Sequence, residues 1–348
     1  MESLSGAEFA PQTTYLNTAS SGLIPARSVA AMKAALDDAA AGGPAADVAF
    51  QAVEETRAAY ARIVGVPADR VATGGSVAVF AGMIAASLPS GAEVLAAEGD
   101  FSSLVNPFAV RRDLKLRTVP LEEIADEVRP GTALVAVSAT QSADGRIADL
   151  EAIRAAARAH GARTLVDASQ AAGWLAVNAA EADYTVSVGF KWLMCPRGVT
   201  FLTVPEDLGG LTPVFAGWVA GERPWDSCYG PVAELAHSAR RFDESPSLFS
   251  YVAARHSLAL VEELGTGAIA AHDRALADRF RAGVTALGHT PVAAPGSAIV
   301  SVPGLGDAAP RLAERDVYVS ARAGNLRASF HLYNTAAEVD RLLEVLAG

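Results

Sequence analysis

The hydrophobic positions of this chain fall into short continuous runs alternating with longer stretches of helical spacing. Runs at Glu93 to Ala97, Leu116 to Val119, Thr132 to Ser138, Arg163 to Val166, Tyr184 to Gly189 and Val199 to Val204 read as buried strands. Between and around them, Val29 to Ala39, Ala46 to Val64, Val77 to Leu88 and Asp149 to His160 carry apolar residues at helical intervals. Ser28 is expected to cap the first of these helices, and Gly65 and Gly161 to close the second and fourth. Ala40 to Ala45 is a Gly/Pro break. Alternation of strand and helix from 71 to 205 predicts a mostly parallel sheet with helices on both sides. Past Val204 the pattern changes. Pro205 to Pro231 is rich in Gly, Pro and Trp without a period, and such a long irregular stretch reads as functional or as a subunit contact. Leu248 to Leu264 and Ile269 to Leu287 then read as two long helices separated by Gly265-Thr266-Gly267. Ala298 to Val302 and Val317 to Ser320 read as strands, and Val339 to Leu346 as a closing helix.

Composition narrows the class. The 348 residues are 51% hydrophobic and 19% charged, as expected of a globular protein with a large core, and the length predicts two domains in close contact. The mean hydropathy of +0.24 comes from alanine-rich helices. No apolar run reaches the roughly 18 residues of a membrane span. The formal charge of −11 disfavours nucleic acid and anionic membranes as partners. Two cysteines, Cys195 and Cys228, make neither a disulfide framework nor a four-ligand zinc site. With no basic and apolar leader in MESLSGAEFAPQTTYL, a reducing cytoplasm is expected.

Candidate chemistry centres on residues 163–204. One predicted strand ends on Asp167, and the next runs into Lys191. Open α/β sheets place ligands beyond the carboxyl ends of their strands. Only Lys33, Lys115 and Lys191 are lysines among 28 basic residues. Arg cannot be deprotonated at working pH, whereas a lysine with a lowered pKa is a nucleophile. Lys191 lies between Phe190 and Trp192, where an unpaired ammonium is costly. Snorkelling or pairing with a carboxylate accounts for it as well as chemistry does, so position alone leaves both open. Upstream, Gly74-Gly75-Ser76 precedes an apolar helix, a place where free N–H groups and the helix dipole favour a phosphate. An ordinary N-cap is the plainer reading of that tripeptide.

The segments D-A-S-Q-A (167–171) and G-F-K-W-L-x-x-P-R-G (189–198) resemble the cofactor core of class V aminotransferases. This family includes cysteine desulfurases, kynureninases and isopenicillin N epimerase-like proteins. The resemblance runs from Tyr15 to the C-terminus. It implies an α/β fold of the type I pyridoxal 5′-phosphate (PLP) class: a large domain (24–235) with a mostly parallel mixed sheet flanked by helices, and a smaller α+β domain (1–23 with 236–348). It also implies that Lys191 forms a Schiff base with PLP and that Asp167 pairs with the pyridine nitrogen. Gln170 would meet the ring 3′-oxygen, with the ring between Ala168 and Phe101. Gly74, Gly75 and Ser76 would hold the phosphate. Phe101 matches kynureninase-like members, where desulfurases carry His, and a phenyl ring moves no proton. R-R-F-D-E-S-P (240–246) is similar to R-F-E-x-G-T-P, which would bring Ser245 to the partner subunit's phosphate and make the protein a homodimer with shared sites. N-L-R-A-S-F-H-L-Y-N-T (325–335) is similar to R-x-S-x-x-x-Y-N-T, so Arg327 would fork onto a substrate α-carboxylate, with Arg322 the next choice. Asn17, Ala19, Thr140, Gln141 and the A-G-W at 216–218 fall near the site by the same likeness. The implied activity is transamination of an amino acid or amine. A C–S or β-elimination lyase, an epimerase and a non-catalytic homologue are the alternatives. The stretch 320–326 lacks the thiol a desulfurase needs there, and Cys195 reads as a packed small residue.

Overall fold

The computed structural model describes residues 1–43 and 45–348, so Pro44 of the Gly/Pro break lies outside the described residues. In chain order the elements begin with β1 (Thr14–Tyr15), α1 (Ala26–Ala40), α2 (Ala45–Val64), β2 (Val71–Gly74), α3 (Val77–Ser87), β3 (Glu93–Ala97), α4 (Ser102–Ala109) and β4 (Lys115–Val119). There follow α5 (Ile124–Glu127), β5 (Thr132–Ser138), α6 (Leu150–His160), β6 (Arg163–Asp167), β7 (Tyr184–Val188) and β8 (Thr200–Thr203). The rest comprises α7 (Leu248–Leu264), α8 (Thr266–Ala286), β9 (Ile299–Val302), α9 (Ala308–Ala313), β10 (Val317–Tyr318), β11 (Ser320–Arg322), β12 (Asn325–Ser329) and α10 (Ala336–Ala347).

Seven strands form the main sheet in the order β2-β8-β7-β6-β5-β3-β4. Its pairs are parallel except at β8, which runs antiparallel to both neighbours. Alternate residues of each strand feed opposite cores, as the pleat requires. Val71, Val166 and Phe201 pack with Tyr60, Tyr251 and Leu258 of α2 and α7. Ala72, Leu165 and Leu202 pack with Phe80, Ile84 and Phe108 of α3 and α4. Both faces are covered, which is why the strands read as continuous apolar runs. A three-stranded antiparallel sheet, β11-β12-β9, packs against α8 and α10 over Phe280, Val300, Phe330 and Leu342. β1 pairs with β10.

Several expectations shift. Ser28 does not cap α1: the helix starts at Ala26 after Pro25, and the Ser28 hydroxyl is buried against Ser257 Oγ at 2.8 Å. Pro25 supplies the extended entry, so the helix starts without a side-chain cap. Gly265 alone breaks α7 from α8. The predicted strand 317–320 is two strands, one paired to β1 and one to β12. The stretch 205–231 contains 3₁₀ turns at Leu208–Gly210, Trp218–Ala220 and Pro224–Ser227, and Trp218, Trp225 and Phe50 stack edge to face and tilted. α10 opens with a capping box of Thr335 and Glu338. Ala239 and Phe242, just before α7, pack under the main sheet. Among the described residues no helix is long and apolar enough to cross a membrane.

Candidate active site

Neighbouring parallel strands β6 and β7 deliver the two central groups. Asp167 is the last residue of β6, and Lys191 follows β7 by a turn closed by Cys195 N–H donating to Gly189 O at 2.9 Å. Across this turn lies the N-terminal segment, whose Gly22 donates to Phe190 O at 2.9 Å. A Cβ on Gly22 would lie 2.0 Å from Lys191 O, so only glycine permits the crossing.

Lys191 is 6% exposed, and burial lowers its pKa from 10.5 to about 8. Asp167 opposes that shift, while Arg327, Arg197 and Arg322 reinforce it. The same burial raises the Asp167 carboxyl above the ordinary range, against the pull of Lys191 and of the Ser169 N–H donating at 2.8 Å. Lys191 Nζ stands 5.1 Å from the Phe101 ring centroid, with Phe190 at 6.0 Å. Asp100 holds Phe101 in place. It accepts from Phe101 N at 2.6 Å, Ser138 N at 2.8 Å, Ser138 Oγ at 2.5 Å and Gln141 Nε2 at 3.2 Å.

Ala168 is fully buried, its N–H donating to Val186 O at 2.8 Å. Gln170 is engaged on all sides: Nε2 donates to Ala19 O at 2.8 Å and Ser142 Oγ at 2.9 Å, and Oε1 accepts from Trp192 Nε1 at 2.8 Å. Thr140 Oγ1 and Asn17 Oδ1 are buried without a hydrogen-bond partner among the described residues. Buried polar atoms rarely stay unpaired, and both lie on segments leading into this cluster.

The Gly74-Gly75-Ser76 turn begins α3, with Ser76 Oγ accepting from Val79 N at 3.4 Å as its cap. Gly75 N–H donates to Glu244 Oε2 at 2.8 Å, so the turn already holds an anionic group. A Cβ on Gly74 would lie 2.7 Å from that oxygen and 2.8 Å from Phe80. Behind the turn, Asp243 accepts from Thr73 N at 2.8 Å and from Arg57 Nη2 at 2.6 Å, a buried ion pair. Ser245 is exposed one residue beyond Glu244.

Arg327 is 1% exposed and, among the described residues, has no carboxylate opposite it; burial and then Arg322 push its pKa down to about 9. Neutral oxygens surround it: Ser320 Oγ at 3.0 Å, Ser142 Oγ at 3.1 Å and Ser20 Oγ at 2.7 Å, together with Ser142 O. The expected two-pronged fork therefore meets a largely occupied guanidinium. Ser20, Ser142, Asp100 and Glu244 escaped the sequence reading. Each neighbours a residue the resemblance does pick out: Ala19, Gln141, Phe101 and Ser245 respectively. Cys195 is buried, its thiol pushed far up, and cannot act as a thiolate. The A-G-W segment ends in the Trp218–Trp225 cluster.

A buried, deprotonatable lysine coupled to a buried carboxylate, an aromatic wall and a helix-start anion turn are the groups a PLP site on a type I fold requires. The family model for Aminotransferase class-V matches residues 14–303, and the chain belongs to this family of PLP-dependent enzymes. Its relatives include the uncharacterized aminotransferase YcbU of Bacillus subtilis, 26% identical over 317 residues, 86% of this chain and 84% of that protein. The isopenicillin N epimerase of Streptomyces clavuligerus is 30% identical over 337 residues, 84% of this chain and 83% of the epimerase. Among solved structures, the cystine C–S lyase C-DES bound to its product cysteine persulfide superposes with a TM-score of 0.88 at 25% identity, covering 97% of each chain. The residues present fit the cofactor in kind: a lysine amine beside an aromatic ring, a buried carboxylate suited to a ring nitrogen, and a turn whose N–H already holds a carboxylate oxygen.

Proposed function

We propose that this protein is an aminotransferase of α-amino acids. The supporting observation is the Phe101 side of the site. A ring there cannot donate a proton, whereas Lys191 Nζ, 5.1 Å from it and with a lowered pKa, can carry one. Transamination needs a single carrier that removes the α-proton and returns a proton on the same face. Epimerisation needs delivery to both faces, and elimination of a poor leaving group needs an acid.

PLP, when bound, supplies an electron sink for the substrate's α-carbon. Asp167 would keep the ring nitrogen protonated, Ala168 and Phe101 would flank the ring, and Gln170 would offer it an N–H now spent on Ser142 Oγ. Gly74, Gly75 and Ser76 would hold the phosphate in place of the Glu244 carboxylate. Arg327 attracts the substrate carboxylate as a buried cation without a counter-ion among the described residues, and Asn17 and Thr140 offer their unpaired oxygens to the substrate. Likeness to a cystine C–S lyase supports a second reading, elimination of a leaving group good enough to depart without an acid. The protein works as a homodimer in which Ser245 reaches the partner's phosphate, which the exposed Ser245, Phe215, Trp225 and Tyr229 support. Two free thiols support a cytoplasmic setting.

A single-turnover experiment tests the activity. The yellow holoprotein is mixed with a panel of amino acids and the cofactor is identified afterwards. Pyridoxamine phosphate plus a keto acid is the expected result. Retained PLP with a cleaved side chain means lyase, and retained PLP with solvent deuterium at Cα means epimerase. Sedimentation velocity giving a monomer refutes the shared site.

A further inference from the structure

Resting on that reading of the site, we infer that the substrate carboxylate is held jointly by Arg322, Arg327 and Ser20, and not by a fork from Arg327 alone. Donor counting leads there. A guanidinium has five N–H donors. Arg327 spends its Nε on Ser320 Oγ, Nη1 on Ser142 O and Oγ, and one Nη2 hydrogen on Ser20 Oγ. One hydrogen is left, too few for a bidentate grip.

Arg322 supplies what is missing. β11 and β12 join through a two-residue turn, Ala323 and Gly324, both at positive φ, which fixes the register. Ser320 stands directly opposite Arg327, and Arg322 lies two residues from Ser320. Side chains two apart on a strand share a face, so both guanidiniums project from the same side of the hairpin. They meet at one atom: Arg322 Nη2 donates to Ser20 Oγ at 3.1 Å, and Arg327 Nη2 to the same oxygen at 2.7 Å. Arg322 otherwise bonds only Ala321 O at 2.7 Å, which leaves three donors free among the described residues. Two guanidiniums converging on one neutral oxygen repel each other, and Arg322 is one cause of the depressed Arg327 pKa. An anion between them removes that repulsion. Ser20 Oγ has both lone pairs filled, so its own O–H is free to donate at the same place. Three donors from three residues thus converge on one carboxylate.

The test uses two hydroxylamine probes that condense with the cofactor's carbonyl carbon: aminooxyacetate, which carries a carboxylate, and methoxyamine, which does not. Their second-order rates with the PLP-loaded protein are followed by absorbance. The aminooxyacetate-to-methoxyamine ratio isolates carboxylate recognition from changes at Lys191. R322M is expected to lower the ratio by about tenfold or more, the loss of a charge-assisted hydrogen bond, and S20A to lower it less. A ratio that falls in R327M but is unchanged in R322M overturns the joint grip. So does an R322M effect confined to 2-aminooxysuccinate, which would make Arg322 a separate site for a side-chain acid. If neither probe changes the absorbance, the reading of Lys191 itself is overturned, and this inference with it.

Discussion

The free amine of Lys191 sets how fast the apoprotein takes up PLP, and the structure gives the pH at which that amine appears. Its pKa falls from 10.5 to about 8, worth roughly 3 kcal/mol between the two protonation states. At pH 7.5 about a quarter of Lys191 is unprotonated, against about a thousandth of an unperturbed lysine. Stopped-flow uptake of PLP by apoprotein, measured from pH 6 to 10, should therefore rise with pH and level off above a midpoint near 8. The signs of two variants follow from named charges. Asp167 holds the Lys191 pKa up, so D167N should move the midpoint lower. Arg327 and Arg322 hold it down, so R322M should move it higher. A midpoint above about 9.5, or a D167N shift towards higher pH, would refute the claim that burial, opposed by Asp167, governs this amine.

Further outcomes follow from the surroundings. D243A removes the buried partner of Arg57 behind the phosphate turn and leaves it only the solvent-facing Glu54 as a carboxylate partner among the described residues, and should cost about 3 kcal/mol in urea unfolding of the apoprotein. E244Q removes the carboxylate now resting on Gly75 N–H, so the apoprotein should bind PLP more tightly by fluorescence titration; weaker binding would show that Glu244 helps hold the phosphate turn. A thiol reagent should find one reactive cysteine, Cys228, in the native protein and two after denaturation, because Cys195 is 1% exposed.

The sheet and its central pair were legible because their signals are local. Strands buried on both faces write themselves as apolar runs, and Asp167 and Lys191 sit at the ends of two such runs. The Arg327 surroundings were not legible. Ser20 lies 307 residues away in sequence and Ser142 185, and a serine announces nothing about where its hydroxyl will point. Glu244 reaches the phosphate turn across 169 residues. Ser28 misled because a good cap residue near a helix start is also a good buried partner, and Pro25 had already set the entry. The strand expected at 317–320 split because its two halves serve different partners, which hydrophobicity does not record.

One consequence concerns the order of biosynthesis. Thr14 and Tyr15 pair with Val317 and Tyr318, Asn17 bridges to Ser329, and Leu4 N–H reaches Leu332 O at 2.8 Å. At about 5–20 residues per second, a ribosome needs roughly 15 to 60 s to travel between such partners. Throughout that interval the strands 71–204 can assemble, while Leu16 and its neighbours wait without their pairing edge. The seating of Ser20 between Arg322 and Arg327 thus waits for the last part of the chain to be made. Cofactor capture in the finished geometry follows completion of the polypeptide, and the nascent chain carries Lys191 in a pocket whose roof has not yet closed.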